Sequence, residues 1–153
     1  AEKFKINEDR IVFLKKTIFE DHLSRHYLAD LFLDTFNYNA HTTAVDALWT
    51  GLPIITKPGN SFSSRVCGSL LKFFDLDELI LKNKDEYYIK ALELAENPHK
   101  LKAIKNKIVK YKDSNKYFNP KNYTLNLEKA YKKIHAMRVN ENKFENIYIK
   151  DIE

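Results

Sequence analysis

The residues best suited to chemistry lie together within residues 39–46. His41, Thr42 and Thr43 follow a predicted strand and open a predicted helix. The first backbone N–H groups of a helix lack acceptors and carry partial positive charge, so this corner predicts an anion site. The helix dipole contributes only about 0.3–1 kcal/mol per charge at an exposed site. Two hydroxyls and an imidazole would therefore supply direct donors to a group such as a diphosphate. The alternative is a threonine cap beside a solvated histidine.

Two further groups of polar side chains accompany this corner. Asp46 lies one helical turn beyond Thr42, where a carboxylate could accept hydrogen bonds from ribose hydroxyls. His22, Arg25 and His26 share one face of a helix predicted over residues 19–29, because they are spaced by three and four positions. A surface histidine and arginine near a helix start is the alternative interpretation of that second group.

Short apolar runs alternate with helical patterns from residue 10 to residue 80. Four strands are predicted, at residues 10–14, 31–34, 53–56 and 78–80. Helices are predicted at residues 19–29, at residues 42–50 and after Ser61 or Ser63. Strands that alternate with helices form a parallel sheet, which binds ligands beyond the carboxyl ends of its strands. The loops at residues 15–22, 35–43 and 57–64 are therefore the candidate binding loops.

The helical patterns also predict which side chains are buried. The helix at residues 42–50 is expected to be capped by Thr42, to bury Val45, Leu48 and Trp49, and to end at Gly51. Beyond residue 82 the chain is predicted to be helical, with new helices at the prolines of positions 98 and 120. Each of these helices has an apolar stripe, and the stripes contain the following residues: Tyr88, Ala91, Leu92 and Ala95; Leu101, Ile104, Ile108 and Tyr111; Tyr123, Leu127, Tyr131 and Ile134.

Composition excludes several classes of protein. The 153 residues include one Cys and three Gly, so an internal disulfide, a multi-cysteine zinc site and a glycine-rich phosphate loop are all excluded. No apolar run approaches the roughly 20 residues of a membrane span, and residues 1–4 do not resemble the core of a signal peptide. We therefore expect a cytoplasmic protein with no membrane partner.

The positive charge of the chain is concentrated in residues 97–153. The formal net charge is +5, and the lysines of this region are interspersed with apolar residues at helical spacing. Such a pattern is typical of a solvated helix face, which we prefer to a nucleic-acid-binding surface. A non-catalytic basic module that binds nucleic acid remains the alternative function.

Taken in order, six short motifs resemble one known family. They are Leu28-Ala29-Asp30, Leu33-Asp34-Thr35, His41-Thr42-Thr43, Asp46-Ala47-Leu48-Trp49, Gly51-Leu52-Pro53 and Ser64-Arg65-Val66. Together they resemble the C-terminal catalytic lobe of the O-GlcNAc transferases, including the SPINDLY-like proteins, strongly over residues 10–82 and more weakly to about residue 137. The resemblance implies an α/β fold: a Rossmann-like parallel sheet flanked by helices, as part of the C-terminal lobe of a GT-B glycosyltransferase, followed by a helical part.

The resemblance also implies roles for individual residues. The triplet His41-Thr42-Thr43 would contact the diphosphate and the sugar of the donor and stabilise the leaving group. Asp46 would bind the ribose, His22 and Arg25 the nucleoside, and Tyr38 would line the sugar pocket. The donor would be UDP-GlcNAc, with no metal and no cofactor, and the acceptor a Ser or Thr hydroxyl of a protein.

The sequence departs from the family pattern at several positions. Ala40 and Ala44 replace two glycines, which would narrow the approach to the phosphates, and Phe19 replaces a common lysine. A relative that uses GDP-fucose is therefore an alternative. The pattern Asp75-Leu76-Asp77 is interpreted as a capped turn rather than as a metal site.

The resemblance covers only part of a family member. It implies that the proton acceptor, the second lobe and the tetratricopeptide repeats that recruit protein acceptors lie outside this chain. We therefore expect no catalytic residue here and no activity from the chain by itself. The expected organisation is a donor-binding part at residues 1–82, helices of the same lobe at residues 83–138, and residues 139–153, for which no element is predicted.

Overall fold

The structure, a computed structural model, describes residues 2–114, 118–141 and 145–149. These residues form two units, one that ends at Val109 and one that begins at Lys110. The regular elements, in chain order, are α1 (Phe19–His26), β1 (Phe32–Leu33), α2 (Thr42–Trp49), β2 (Ile54–Ile55), α3 (Val66–Phe73), α4 (Lys84–Glu96), α5 (Pro98–Asp113) and α6 (Pro120–Ala136). The described part of the chain is thus mostly helical.

The parallel sheet is present but small. Strands β1 and β2 pair in parallel, with Phe32 opposite Ile54 and Leu33 opposite Ile55. A single parallel bridge between Thr56 and Ile80 extends the sheet by one position. Both residues of β2 are fully buried. The prediction of a parallel sheet from the second and third apolar runs is confirmed, whereas residues 77–79 form a 3-10 turn instead of a fourth strand.

The strand predicted at residues 10–14 is wrong. Residues 11–18 have no regular structure, and Val12, Phe13 and Leu14 are 73%, 90% and 65% exposed. A strand needs a neighbour to satisfy its N–H and C=O groups. In the described residues no strand lies beside this run, so its apolar and β-branched composition does not produce one.

The N-cap of α2 lies one position earlier than the sequence predicts. His41 occupies the N-cap position, Thr42 is the first helical residue, and no side chain caps the helix. The buried positions are Ala44, Ala47 and Leu48, whereas Trp49 is 45% exposed. Gly51 ends the helix with φ 82°, a left-handed conformation that favours glycine, as predicted.

The stripe predicted on α4 is displaced by one residue. Tyr87 and Leu94 are buried, whereas Tyr88 is 64% exposed. Helix α5 buries Leu101 and Ile108, as predicted. The turn after α3 places Asp75 at φ 54°, and its carbonyl accepts a hydrogen bond from Lys107, which supports the interpretation of a turn.

The second unit contains α6 and the π-helical turn Met137–Glu141. The apolar side chains Tyr123, Tyr131 and Ile134 of α6 remain 50–68% exposed. Residues 145–149 have no regular structure, and residues 142–144 and 150–153 of the predicted tail lie outside the described residues. Among the described helices, none combines the length and the apolar composition needed to cross a bilayer.

Candidate functional site

The start of α2 offers a group of unused hydrogen-bond donors. In the described part of the chain, the backbone N–H groups of Thr42 and Thr43 have no acceptor, because the first internal bonds of the helix are made by Ala44 and Val45 to the carbonyl of His41. Both threonine side chains are exposed, and their hydroxyls form no hydrogen bond within the described residues. Two amides and two hydroxyls are therefore available to an anion at one corner.

His41 is held in place by three contacts. Its Nε2 lies 3.2 Å from the carbonyl oxygen of Ser63, which accepts a hydrogen bond when Nε2 carries the proton. The Tyr38 ring stacks on the imidazole with centroids 4.7 Å apart, and Phe62 meets it edge-on at 6.1 Å. The backbone N–H of Asn39 donates to the same Ser63 carbonyl at 2.8 Å. This carbonyl therefore joins the loop before α2 to the loop at residues 57–64.

A buried carboxylate, that of Asp34, anchors the loop between β1 and α2. Asp34 follows β1 and is 4% exposed. Its Oδ1 accepts hydrogen bonds from the backbone N–H groups of Thr35 at 2.9 Å and Ala40 at 2.7 Å, and its Oδ2 accepts one from the Thr56 hydroxyl at 2.5 Å. Because Thr35 and Ala40 stand at the two ends of the loop, a single side chain fixes the loop against β2.

The charge of Asp34 affects two other buried groups. Burial, and then the negative charge of Asp34, raises the pKa of the Cys67 thiol well above its ordinary value. The same two causes raise the pKa of Tyr87 to about 12. The Tyr87 hydroxyl donates to the carbonyl of Asp34 at 2.9 Å, so α4 also supports the loop. Cys67 is a buried packing residue, as the sequence predicts.

The loop and the start of α2 line a cleft of about 410 Å³. Its walls include Asp34, Asn39 and the run of positions 40–43. Asn39 is 1% exposed, and its Oδ1 has no hydrogen-bond partner among the described residues. An unpaired buried acceptor costs about 1–3 kcal/mol, so a bound ligand that donates a hydrogen bond to Asn39 Oδ1 would be favourable.

The residues predicted on α1 lie beside this cleft. His22 Nε2 is 3.6 Å from Asp46 Oδ2, which brings α1 and α2 together. His22 and Arg25 line a neighbouring cleft of about 520 Å³, which shares Phe32 with the first. The Arg25 guanidinium donates to the carbonyl of Lys15 at 2.7 Å, so one of its donors is already used. The seven predicted site residues thus border two adjoining clefts or pair directly across them.

The departures from the family pattern have different consequences in the structure. Ala44 is fully buried and does not line the cleft, so its methyl group does not narrow the approach to the helix start. Ala40 does line the cleft. Phe19 is 60% exposed at the beginning of α1. Tyr38 is 64% exposed and borders the 410 Å³ cleft beside His41.

Sequence reasoning missed the residues that position the loop. Asp34 was visible as a carboxylate at the end of an apolar run and as part of one of the six motifs, and Asn39 as part of a loop, but neither was assigned a role. Thr56 and Tyr87 gave no signal, because their contacts with Asp34 span 22 and 53 positions of the chain. Within the described residues, no three His, Cys, Asp or Glu side chains are close enough to hold a metal ion.

A helix start with free amides at the carboxyl edge of a parallel sheet is the anion-binding arrangement of α/β nucleotide-binding proteins. Comparison with known proteins gives a narrower answer. The sequence pattern of glycosyl transferase family 41 matches residues 1–127. The chain belongs to this family.

Individual relatives agree with this assignment. The chain is 35% identical over 130 residues to the probable UDP-N-acetylglucosamine--peptide N-acetylglucosaminyltransferase SEC of Arabidopsis thaliana, covering 84% of this chain and 13% of that protein. It is 37% identical over 123 residues to the UDP-N-acetylglucosamine--peptide N-acetylglucosaminyltransferase of Caenorhabditis elegans, covering 80% and 11%.

A solved structure is also similar, that of the K341M mutant of the Thermobaculum terrenum O-GlcNAc transferase. The TM-score is 0.81 at 28% identity, and the match covers 87% of this chain and 26% of that chain. The chain spans about an eighth of the length of the Arabidopsis thaliana and Caenorhabditis elegans relatives. The structural match agrees with the expectation that the fold is part of a lobe.

Proposed function

We propose that this chain is the donor-binding part of a glycosyltransferase that moves GlcNAc from UDP-GlcNAc to Ser or Thr hydroxyls of proteins. The observation that carries the proposal is the unused donor set of Thr42 and Thr43, held beside His41 at the start of α2. The names of the relatives supply the donor and the class of acceptor.

In the proposed site, the donor diphosphate lies at the start of α2. The amides and hydroxyls of Thr42 and Thr43 would donate to its oxygens, and the helix dipole would add a smaller contribution. As the bond to the sugar breaks, negative charge grows on the departing UDP. Donors that are already fixed in place stabilise such charge without reorganisation, which is commonly the largest contribution to catalysis. The anchoring of the loop by Asp34 and Ser63 would provide that preorganisation.

The neighbouring residues would hold the rest of the donor. Asp46, half-buried beside His22, would accept hydrogen bonds from the ribose, and the cleft bordered by His22 and Arg25 would hold the nucleoside. Tyr38, stacked on His41, would border the sugar. In this proposal hydrogen-bond donors of the protein, rather than a metal or a cofactor, stabilise the charge of the diphosphate.

Binding of nucleotides tests the proposal directly. Calorimetry with UDP should show saturable binding, and His41→Ala, Asp46→Ala and the double variant Thr42→Val/Thr43→Val should each weaken it about tenfold or more, because each removes a hydrogen bond to a charged or polar ligand group worth about 1.5–3 kcal/mol. His99→Ala is the matched control, because His99 is an exposed histidine of α5.

Two other ligands separate the alternatives. Tighter binding of GDP than of UDP would favour a relative that uses GDP-fucose. Steeply salt-dependent binding of a DNA oligonucleotide, unaffected by His41→Ala, would favour the basic nucleic-acid module and contradict the proposal.

The proposal extends to activity, organisation and location. We expect UDP binding without sugar transfer from this chain, and measurable transfer of GlcNAc to a peptide by residues 1–153 would contradict that. Donor binding is assigned to residues 1–82, and the helices at residues 83–138 are assigned to the same lobe. A cytoplasmic location is part of the same proposal.

A further inference from the structure

A second cleft lies on the other side of Tyr38 and has a different chemical character. Its volume is about 660 Å³, and it shares Thr35 and Tyr38 with the 410 Å³ cleft at the start of α2. Two lysines, Lys57 and Lys84, and the aromatic ring of Phe36 line it, so we call it the lysine cleft. No carboxylate is among its lining residues.

The two lysines converge on one ring although they come from different elements. Lys57 follows β2 and Lys84 begins α4, and each Nζ lies 5.6 Å from the centroid of Phe36. The Phe36 and Tyr87 rings form a T-shaped pair with centroids 5.1 Å apart, which supports this wall of the cleft. A cation over an exposed aromatic ring gains only about 0.5–1 kcal/mol, so the ring does not take the place of a counter-ion for either lysine.

Neither positive charge is paired with a carboxylate of the described residues. In the described residues, neither lysine forms an ion pair, and the hydrogen bond recorded for Lys57 Nζ goes to the uncharged carbonyl of Pro58, at 3.4 Å. By contrast, Lys90, Lys100, Lys105 and Lys107 all pair with carboxylates. Lys57 is half-buried, which reduces its screening by water. The cleft therefore attracts a negatively charged occupant.

We propose that the lysine cleft binds acidic side chains that flank the hydroxyl of the acceptor polypeptide. The inference rests on the proposed function, because that function requires an acceptor next to the donor sugar, and the two clefts meet at Tyr38. The cleft is larger than a single phosphate or carboxylate requires, and its wall adds the polar side chains of Asn60 and Ser61. An extended segment with carboxylates on alternate side chains would meet both lysines while its hydroxyl lies beside Tyr38. The chain would thus select acidic acceptor segments.

Peptide binding tests this inference. A fluorescent ten-residue peptide with one Ser flanked by Asp and Glu is compared by anisotropy with the same peptide carrying Asn and Gln, with and without saturating UDP. We expect the acidic peptide to bind at least tenfold more tightly. The variant Lys57→Gln/Lys84→Gln should remove this difference, since each exposed ion pair contributes up to about fivefold.

A matched variant controls for the net charge of the chain. Lys72→Gln/Lys102→Gln removes two exposed lysines from α3 and α5, outside the cleft, and should change peptide affinity less than twofold. UDP affinity of the Lys57→Gln/Lys84→Gln variant should stay within about threefold of the unsubstituted chain. Equal affinity for both peptides, or an equal loss in the control variant, would overturn the inference.

The UDP arm separates this inference from the proposed function. Displacement of the acidic peptide by UDP would show that the lysines bind the donor and would overturn the inference, while leaving the proposed function intact. Lysine-dependent binding of the acidic peptide by a chain that does not bind UDP would contradict the proposed function, and binding of acidic segments in the lysine cleft would be retained.

Discussion

Replacement of Asp34 tests whether the loop before α2 depends on one buried carboxylate. Asp34→Ala removes the acceptor of three hydrogen bonds, from Thr35, Ala40 and Thr56. Hydrogen bonds to a charged group are each worth about 1.5–3 kcal/mol, but they are not additive when they share one acceptor. We therefore expect a loss of about 3–5 kcal/mol in the free energy of unfolding, a large part of the 5–15 kcal/mol typical of a domain.

Asp34→Asn is the sharper variant because it keeps the shape of the side chain. Its remaining oxygen can accept from Thr35 and Ala40, and the Thr56 hydroxyl can rotate to accept from the new amide. We expect a smaller loss than for Asp34→Ala, about 1–3 kcal/mol, since two of the three bonds are kept in weaker form while the Thr56 hydroxyl proton loses its acceptor. The surface carboxylate Asp30, 83% exposed and paired with Lys105, provides the control, and Asp30→Asn should change stability by less than about 1 kcal/mol.

Urea unfolding followed by tryptophan fluorescence measures all three variants, because Trp49, the one tryptophan of the chain, lies on α2 itself. UDP titration of the folded variants gives the second readout. We expect Asp34→Ala to weaken UDP binding at least tenfold and Asp34→Asn to weaken it less. Equal stability of the two Asp34 variants, or unchanged UDP affinity of Asp34→Ala, would refute the view that this carboxylate positions the loop.

Three further predictions concern pH and packing. Since the pKa of Tyr87 is raised from 10.0 to about 12, its contribution of about 2–3 kcal/mol to the free energy of unfolding is complete below pH 10 and is lost as the pH rises to 12; urea midpoints should fall over this window, and less steeply in Tyr87→Phe. Hydrogen bonds from Lys100 and Lys90 lower the pKa of Glu93 from 4.5 to about 2, so its contribution to the free energy of unfolding is present above pH 4.5 and is lost as the pH falls to 2. Glu93→Gln should therefore reduce the acid sensitivity of the urea midpoint. A Cβ at Gly59 would lie 2.6 Å from a serine oxygen, so Gly59→Ala should lower the thermal midpoint by several degrees, with a cost of about 1–3 kcal/mol.

Local patterns predicted the elements whose partners are near in sequence. The end of α2 at Gly51 and the helix begun by Pro98 follow from capping chemistry within a few residues. The start of α2 follows from the change from loop to helical pattern, although its cap is His41 instead of the predicted Thr42. The helix start that carries the proposed anion site was therefore predictable in outline. The pairing of His22 with Asp46 was not, because it depends on how α1 packs against α2.

Long-range contacts decided the remaining positions. Tyr87 and Tyr88 are adjacent and chemically alike, so the helical pattern of α4 could not identify the buried one. The structure buries Tyr87, whose hydroxyl reaches the Asp34 carbonyl 53 positions away. In the same way, residues 10–14 have the composition of a strand, but a strand also requires a neighbour, which composition does not report.

In the proposed function, the hydrogen-bond donors at the start of α2 are positioned by the sheet as much as by the helix. An eight-residue helix aligns few peptide dipoles, and its start would be free to move if only the 35–41 loop held it. The pairing of β1 with β2 brings Asp34 to Thr56, and Asp34 and the Ser63 carbonyl then hold Ala40 and His41. Donors fixed in this way can stabilise developing charge without first being ordered, because that ordering entropy was lost when the sheet formed.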